Sequence, residues 1–332
     1  MSIDFFTFAL PLIKHSNNDI SDVTGTASDF IANKVGLKTR YILGKEETSV
    51  SLAVDACEKL FLQVKCNRED IDLLVCVTQN PDHKIPHNAG IIADKLGLSN
   101  SLLSFDLSLG CSGYVYGVQV VDSMLKSMGL KNAILVTSDP YSRIIAEENK
   151  DTNCVFGDAA TATYICENSD RSKILSWDYG TDGSGSHNII VPTGGSAKPL
   201  LGLLSGQDQN FYEREDLRLH MNGRAVFNFV MRRIPVSIDI SLDRADLSRE
   251  DINFFVLHQG STYMLNALAK RANIPLDKMP INMDKYGNTV SSTIPILLAE
   301  LDEKGKLAGS KVLISGFGVG LSWGTMIMEF KG

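Results

Sequence analysis

The sequence lacks the features that would place it in a membrane, secreted or nucleic-acid-binding class. No run reaches the roughly 18 consecutive apolar residues that a membrane-spanning helix needs. The apolar residues 1–13 include Asp4 and no basic stretch, so they predict an opening strand and not a secretory signal. A basic excess is absent too, because the 332 residues carry a net charge of −7, which argues against a general nucleic-acid binder. We therefore expect a cytoplasmic protein with neither a membrane nor a nucleic acid as its partner.

The six cysteines include no Cys-x-x-Cys pair, which disulfide and zinc frameworks commonly show. We therefore predict no metal site and a reducing compartment. Cys111 stands out by its position, since it follows a strand-like run, residues 101–107, and precedes an almost uncharged helical stretch, residues 112–128. Free backbone N–H groups and the helix dipole favour a thiolate at a helix N-terminus. Cys111 is thus predicted to be an ionised nucleophile.

Two segments of the chain resemble each other, with Arg249 following Arg68 by 181 residues. In each segment Arg-Glu-Asp-Ile leads into an apolar run that ends at a Gln. Alternation of strands and helices at this spacing predicts βαβ units and mostly parallel sheets. Two such copies indicate a duplicated α/β fold whose halves join near residues 165–175. The alternative is a chance similarity between two buried strands. The corresponding strand, helix and strand are residues 102–107, 112–128 and 133–138 in the first copy, and residues 279–283, 290–303 and 311–315 in the second.

Three polar residues follow predicted strands and are expected to meet. Sites in parallel α/β sheets gather at the carboxyl ends of strands, and Cys111, His258 and Asn288 would all lie there. Packing of the two copies about a pseudo-twofold axis would bring them towards one pocket. Each of the last two also has a structural interpretation, because a strand-end histidine is often only hydrogen-bonded and Gly-Asn-Thr is an ordinary turn and helix N-cap.

A glycine-rich segment, residues 315–324, lies near the C-terminus. Its Gly-x-Gly-x-Gly pattern does not predict a dinucleotide site, because a strand, residues 325–330, and not a helix is predicted to follow. Glycines let backbone approach a ligand closely, so an N–H here could pair with that of Cys111 to hold a developing oxyanion; a plain hairpin is the alternative. The apolar stretch inside residues 193–216 predicts either a cover over a site or interface, or a partly disordered insertion.

Together these motifs resemble the β-ketoacyl-acyl-carrier-protein synthase III family of the thiolase superfamily along nearly the whole chain. The resemblance implies an α/β, thiolase-like fold whose duplicated βαβ halves form a layered α-β-α-β-α sandwich. Residues 1–170 would be the half with the nucleophilic Cys, and residues 171–332 the half with His and Asn. It also implies a homodimer that needs no metal or redox cofactor. The matching stretches, in agreeing order and spacing, are residues 34–41, 110–113, 156–160, 258–259, 287–289 and 316–324.

The resemblance also implies a reaction. An acyl group would pass from an acyl-coenzyme A, or an acyl carrier, to Cys111 and then undergo decarboxylative Claisen condensation with malonyl carrier protein, in fatty-acid or specialised-metabolite biosynthesis. His258 and Asn288 would bind the malonyl thioester carbonyl and stabilise its enolate. An acyltransferase that moves the acyl group to a hydroxyl or amine is the alternative on the same scaffold. The family's oxyanion hole would use the N–H groups of Cys111 and Val319, beside the loop residues Phe317, Gly318 and Gly320.

The chain departs from the family's usual pattern where substrates would bind. Phe30, Lys34 and Lys150 stand where housekeeping members usually have Trp, Arg and Arg for adenine stacking and phosphate binding. Phe still stacks and Lys still attracts phosphate, but without the guanidinium fork. Weaker coenzyme A binding or a carrier-protein donor would follow. Ile85 stands where short-straight-chain enzymes often place Phe at the floor of the acyl pocket, so another primer could fit.

The expected surface for carrier protein is changed as well. Tyr263 stands where the family has an arginine that touches carrier protein, whereas the nearby Lys270 and Arg271 are basic. This pair is predicted to contact an acidic carrier; otherwise it is an ordinary solvated helix face. These departures suggest a specialised member of the family.

Overall fold

The computed structural model describes residues 2–200 and 214–332. Apolar runs that alternate with amphipathic segments form the strands and helices below. The strands are β1 Ser2–Ala9, β2 Ile13–Ser16, β3 Thr39–Ile42, β4 Leu73–Val77, β5 Leu103–Leu107, β6 Asn132–Ser138, β7 Ala160–Cys166, β8 Ser172–Thr181, β9 Ile189–Ile190, β10 His220–Met221, β11 Phe254–Leu257, β12 Lys311–Phe317 and β13 Ser322–Phe330. The α-helices are α1 Asn17–Thr24, α2 Ser28–Phe30, α3 Ser49–Phe61, α4 Asn88–Lys95, α5 Gly113–Met128, α6 Lys150–Asn153, α7 Gly223–Ala245, α8 Thr262–Ala272, α9 Met283–Tyr286 and α10 Thr293–Glu303.

Two sheets organise the fold, with strand orders β1-β7-β6-β4-β5 and β11-β12-β13-β8. β4 pairs in parallel with β5 and β6, and β11 pairs in parallel with β12. The other ladders in these sheets are antiparallel. The sheets are therefore mixed and not mostly parallel as expected. For β12 and β13 the reason is local, because the short glycine loop between them allows only a hairpin.

Alternation of side chains along the strands builds the layers. In β4, Leu74 and Cys76 pack into a core with α3 and α4. Leu73, Val75 and Val77 instead join a core that contains α5, α10 and the second sheet. On the far face of the second sheet, side chains of β11 and β12 pack against α7 and α8. The layers thus run helices, sheet, helices, sheet, helices, which confirms the predicted five-layer thiolase-like sandwich.

The two halves are less alike than the sequence suggested. The predicted strand at residues 279–283 is wrong, because residues 279–282 form an irregular connection between a 3₁₀ turn, Leu276–Lys278, and α9. Pro280 lacks the N–H that a ladder requires. The first large sheet takes its strands from residues 2–166 and the second from residues 172–330. The middle core draws side chains from both sets, so a division of the chain at residues 170 and 171 stays a prediction.

The start of α5 is held tightly against the first sheet. A Cβ at Gly117 would lie 2.7 Å from Leu135 Cδ1, so a larger residue there would push the helix away from β6. This close packing places Cys111, just before α5, at the carboxyl ends of the parallel strands. In residues 2–200 and 214–332, no helix is both long and apolar enough to cross a membrane.

Candidate active site

Cys111 lies at the wall of a cavity of about 370 Å³. Cys111 lies in the segment that connects β5 to α5, and only 6% of the residue's surface is exposed. The backbone N–H groups of Val319 and of Cys111 itself lie near the sulfur and favour its ionised form. These are the two groups that were expected to form an oxyanion hole. Two potential donors therefore lie beside the atom that would carry an acyl group.

The thiol of Cys111 is protonated at neutral pH, so the predicted resting thiolate is wrong. Burial raises the pKa of Cys111 to about 12, and the nearby Asp139 carboxylate adds to the rise. The N–H groups of Val319 and Cys111 lower the pKa but do not offset the loss of hydration. The helix N-terminus is thus outweighed by desolvation, and the thiol must lose its proton when it attacks a thioester.

The glycine loop between β12 and β13 approaches this sulfur closely. A Cβ at Gly318 would lie 2.9 Å from Cys111 Sγ, which real Cβ atoms do not tolerate. The hydroxyls of Ser112 and Ser322 are 2.7 Å apart and join the two halves beside the loop. Gly320 adopts φ +72° and turns the loop, but it does not line the cavity. The segment is therefore both a hairpin and a wall of the site.

His258 follows β11, as expected, and its ring lines the same cavity. Burial lowers the pKa of His258 to about 3, although a hydrogen bond with the backbone of Val290 opposes this shift. The imidazole is therefore neutral at physiological pH. Its Nδ1 lies 2.8 Å from Thr293 Oγ1. Phe317 packs edge-on against the ring, with centroids 5.6 Å apart, and limits its movement.

Asn288 is held in the cavity wall by both halves of the chain. Its N–H donates to the Val155 carbonyl at 2.9 Å, and its carbonyl accepts from the Gly157 N–H at 3.0 Å. Its side-chain Oδ1 accepts the Val290 N–H at 2.8 Å. Because the oxygen is engaged, the NH₂ group is the part of the amide that a bound molecule can use.

Val290 is a strained residue between these two side chains. Its φ of 54° lies in the left-handed region, which costs a β-branched residue about 1–3 kcal/mol. Its N–H orients Asn288, and its carbonyl accepts the hydroxyl of Thr293 at 3.1 Å. No sequence pattern identified Val290 or Thr293, because their importance comes from a backbone conformation and not from residue type.

Cys111, His258 and Asn288 line one cavity together with the predicted loop residues Phe317, Gly318 and Val319, whereas the other residues of its wall were not assigned to it from the sequence. The buried end of the cavity is aromatic, with the rings of Tyr141 and Phe156 5.1 Å apart. At its exposed mouth, Phe227 and Tyr263 stack with centroids 5.7 Å apart. Phe156 and Tyr263 lie at positions that the family resemblance had singled out, whereas only hydrophobicity could have signalled Tyr141 and Phe227. The cavity is also lined by Val155, Ile189, Met221, Gly223, Arg224, Val226, Gly260, Ser261, Met264, Phe317, Gly318 and Val319.

The residues expected to bind coenzyme A lie outside the cavity. Phe30, Lys34 and Lys150 are all exposed, and none lines it. Phe30 and Lys34 belong to a segment that packs against α8, where Gly36 leaves no room for a Cβ beside Thr262. They therefore flank the helix that begins at the cavity mouth.

The expected carrier-protein and acyl-pocket residues are also distant from Cys111 within one chain. Lys270 and Arg271 are exposed on the last turn of α8. Ile85 is 86% exposed and does not line the cavity, so one chain by itself does not place it at the pocket floor. Most of the apolar stretch that predicted a cover falls within residues 201–213, outside the described residues. In the part of the chain that is described, no three His, Cys, Asp or Glu side chains group as metal ligands would.

Comparisons with known proteins show which family and fold the chain shares. Residues 105–183 match the family described as 3-oxoacyl-[acyl-carrier-protein] synthase III, and residues 242–330 match its C-terminal part. A β-ketoacyl-[acyl-carrier-protein] synthase III of Aliarcobacter butzleri is 32% identical over 95% of this chain and 93% of the relative. The enzyme of that name from Streptococcus sanguinis is 31% identical over 94% of each chain. A crystal structure of a 3-oxoacyl-(acyl-carrier-protein) synthase III superposes with a TM-score of 0.92 at 33% identity, covering 99% of both chains.

The fold and the relatives define an acyltransferase-class condensing enzyme with a thiolase-like fold. The chain belongs to the β-ketoacyl-acyl-carrier-protein synthase III family. This membership confirms the predicted family and links the chain to fatty-acid biosynthesis. It favours condensation over simple acyl transfer to a hydroxyl or amine.

Proposed function

We propose that this protein moves an acyl group from coenzyme A, or from a carrier protein, to Cys111 and condenses it with malonyl carrier protein. The products are a β-ketoacyl carrier protein, CO₂ and the free thiol of the acyl donor. One observation carries the proposal: Cys111, His258 and Asn288 line the same cavity, and the N–H groups of Cys111 and Val319 lie near the sulfur.

The first step is an exchange of thioesters. The Cys111 sulfur attacks the carbonyl carbon of the donor thioester, and the two N–H groups of Cys111 and Val319 hold the oxygen that becomes negative. The bond to the donor sulfur then breaks, and the departing thiolate takes up the proton that Cys111 loses. The low dielectric of the buried site strengthens both hydrogen bonds.

The second step uses His258 and Asn288. The malonyl thioester carbonyl accepts hydrogen bonds from the Asn288 NH₂ group and from the His258 ring. The bond to the carboxylate breaks, CO₂ leaves, and its electron pair forms an enolate that the two donors stabilise. Both groups are neutral, so they hold the enolate without readily protonating it. The enolate carbon attacks the acyl carbonyl on Cys111, and the Cys111 thiolate leaves and takes up a proton.

The architecture of α8 supports a route for the carrier protein. Tyr263, in its first turn, lies at the cavity mouth, and the basic Lys270 and Arg271 follow about 10 Å further along the helix axis. A carrier with an acidic surface could rest on this face while its pantetheine arm enters the cavity. Phe30, Lys34 and Lys150 would contact the nucleotide of coenzyme A on the flank of the same mouth.

A second copy of the chain is the proposed partner at the open edge of the first sheet. Within residues 2–200 and 214–332, β5 has no strand on its outer side, and Leu103 in it is 37% exposed, whereas β4 beside it is wholly buried. The highly exposed Ile85 precedes α4, which packs on β5. Pairing of two such edges would remove unsatisfied backbone groups and cover this apolar surface. The proposed location is the cytoplasm.

The test is intact-protein and product mass spectrometry. A panel of acyl-coenzyme A donors primes the enzyme, and malonyl carrier protein follows. We expect an adduct on Cys111 that disappears only as β-ketoacyl carrier protein forms, and none in Cys111→Ala. Cys154→Ala is the matched control, because Cys154 is also buried but lies in another cluster. An adduct that persists through the chase would contradict condensation and favour transfer to a hydroxyl or amine.

A further inference from the structure

Val290 holds the side chain of Asn288, but its residue type does not favour the backbone conformation that does so. Its N–H donates to Asn288 Oδ1 at 2.8 Å, which engages the oxygen and leaves the NH₂ group for a bound molecule. Its φ of 54° lies in the left-handed region, where the branched Cβ of valine is unfavourable. Such a conformation persists only where the surrounding contacts over-determine it. The residues that follow Val290 supply contacts of this kind.

A buried carboxylate, that of Asp139, holds the next residue along the chain. Asp139 follows β6 and is 0% exposed. Its Oδ2 accepts the hydroxyl of Ser291 at 2.5 Å, across 152 residues of sequence, and its Oδ1 accepts the Gln79 N–H at 2.7 Å. Gln79 lies two residues after β4, which pairs in parallel with β6. Asp139 therefore connects the segment after Val290 to the carboxyl ends of two strands of the first sheet.

The charge of Asp139 makes this connection stronger than the one beside it. Burial raises the pKa of Asp139 to about 6, whereas the hydrogen bonds from Ser291 and Gln79 lower it, so the carboxylate is mainly ionised at neutral pH. Hydrogen bonds to an ionised group are about twice as strong as those between neutral groups. Ser292 also contacts the first half, through Thr137 Oγ1 at 2.7 Å, but both of those hydroxyls are neutral. A fully buried carboxylate that lost its donors would be strongly unfavourable, so the contact with Ser291 resists opening.

We infer that Asp139 is a positioning residue that anchors Ser291, holds Val290 in its left-handed conformation and thereby fixes the amide of Asn288. The use of that amide on an enolate rests on the proposed function. The anchor itself does not, because it can be measured without substrate.

Hydrogen–deuterium exchange of the Val290 N–H measures the anchor directly. Overlapping peptides across residues 286–293, analysed by mass spectrometry, resolve this position. Ser291→Ala removes the hydroxyl that donates to Asp139. We expect the Val290 N–H to exchange about tenfold or more faster than in wild type, as on loss of a hydrogen bond to a charged group. An unchanged exchange rate would overturn the inference.

Asp139→Asn breaks the same contact from the other side. The asparagine oxygen can still accept the Gln79 N–H, but its NH₂ group would face the Ser291 hydroxyl and could not accept the proton. We expect faster exchange of the Val290 N–H here too. The double variant Asp139→Asn/Ser291→Ala should exchange no faster than the faster single variant, because both changes remove one interaction. Effects that add would mean that the two residues act separately, and the inference would be overturned.

Ser49→Ala is the matched control for the loss of a buried serine hydroxyl. Ser49 is 1% exposed, and its hydroxyl contacts Ser138 Oγ at 2.9 Å, in the residue before Asp139. The exchange rate of the Val290 N–H should stay near that of wild type. If Ser49→Ala accelerated it as much as Ser291→Ala, general loosening of the core would explain both, and the inference would be overturned. Thermal unfolding of each variant checks that it folds.

The two chemical steps show whether the anchor acts on Asn288 alone. In Ser291→Ala we expect formation of the Cys111 adduct to stay near wild type, while CO₂ release from malonyl carrier protein falls about tenfold or more, as on misplacement of a catalytic group. Asp139→Asn does not suit this comparison, because the Asp139 carboxylate also raises the pKa of Cys111.

Two results would separate the inference from the proposed function. Equal losses of adduct formation and CO₂ release would mean that the anchor supports the whole site and not Asn288, which would overturn the inference. If the Val290 N–H exchanges faster but CO₂ release does not change, the anchor is confirmed and the contact of Asn288 with the malonyl group in the proposed function is wrong.

Discussion

At the residue scale, desolvation dominates the chemistry of the site. Cys111 and His258 are both buried, and burial favours the uncharged form of each: it raises the pKa of the thiol and lowers that of the imidazole. The site therefore rests without a charge on either residue. Hydrogen bonds, and not ion pairs, must stabilise the charge that develops in the reaction, which suits the preorganised N–H groups and the neutral amide of Asn288.

The raised pKa of Cys111 predicts how its reactivity depends on pH. Between pH 6 and 9 the thiolate is a small fraction that grows about tenfold per pH unit, because this range lies below a pKa of about 12. The rate of iodoacetamide labelling at Cys111, followed by peptide mass spectrometry, should rise throughout this range without a plateau. The half-exposed Cys66 serves as an internal reference for the reagent. A rate at Cys111 that does not change between pH 6 and 9 would show that it is already ionised.

Asn288→Asp tests the amide of the second step. In the wild-type protein the Val290 N–H donates to Asn288 Oδ1 at 2.8 Å. A carboxylate at position 288 keeps this acceptor but replaces the donor NH₂ group by an oxygen. We expect adduct formation on Cys111 to persist and decarboxylation of malonyl carrier protein to fall about 100-fold, as on loss of an oxyanion-hole donor. Release of CO₂ measures the second step. Unchanged release would remove Asn288 from the assigned role.

At the scale of elements, α8 connects the mouth of the cavity to a basic surface. Ser261 caps the helix by accepting the Met264 N–H at 3.2 Å, so its first turn is held at the mouth. The last turn carries two exposed cations near the negative end of the helix dipole, where they are favourable for the helix itself. Lys270 and Arg271 can therefore be explained either by helix stability or by binding of carrier protein. Only the effect of mutating them on the use of each substrate distinguishes these explanations.

Reversal of the charges on α8 should discriminate between substrates. We expect Lys270→Glu/Arg271→Glu to lower kcat/KM for malonyl carrier protein about tenfold or more, with a much smaller effect on acylation by acyl-coenzyme A. Lys304→Glu/Lys306→Glu is the control, since it changes the net charge equally on an exposed segment between α10 and β12. Equal losses with both substrates would mean that this face of α8 is not the docking surface.

At the scale of the whole molecule, the two edges of the first sheet differ. β1 is an edge strand that packs against α3, α10 and β8. β5, at the other edge, leaves all five of its residues partly exposed or exposed. An edge with this much open surface suits the proposed association of two copies, because its backbone groups and apolar side chains would gain a partner there.

Ile85→Glu tests the proposed dimer face. A buried charge without a partner opposes association, so we expect the variant to sediment increasingly as a monomer at micromolar concentration while wild type remains a dimer. Leu62→Glu is the control, because Leu62 is 88% exposed in the turn after α3, compared with 86% for Ile85. Wild-type protein that sediments as a monomer, or an Ile85→Glu dimer as stable as that of Leu62→Glu, would contradict this face.

Local patterns in the chain were sufficient to predict much of the fold and the central residues. The apolar run of β4, the helix after Cys111 and the strand before His258 depend on neighbours in sequence, and all three were predicted. The predicted strand at residues 279–283 was wrong because it rested on the similarity between the two segments of the chain. Pro280 opposes a strand there, since proline has no backbone N–H to donate to a neighbouring strand.

Other properties depend on residues that meet only after folding. The protonation of Cys111 follows from burial by distant segments, and the contact of His258 with Thr293 spans 35 residues. The left-handed backbone of Val290 is maintained by contacts around it, against the preference of a β-branched residue. Residue type and spacing therefore determined which residues are the candidates for the nucleophile and its partners, and much of the order of elements, since these are encoded locally. Tertiary packing alone decided their charge states and orientations, because desolvation and hydrogen bonding arise from all the groups that surround a side chain.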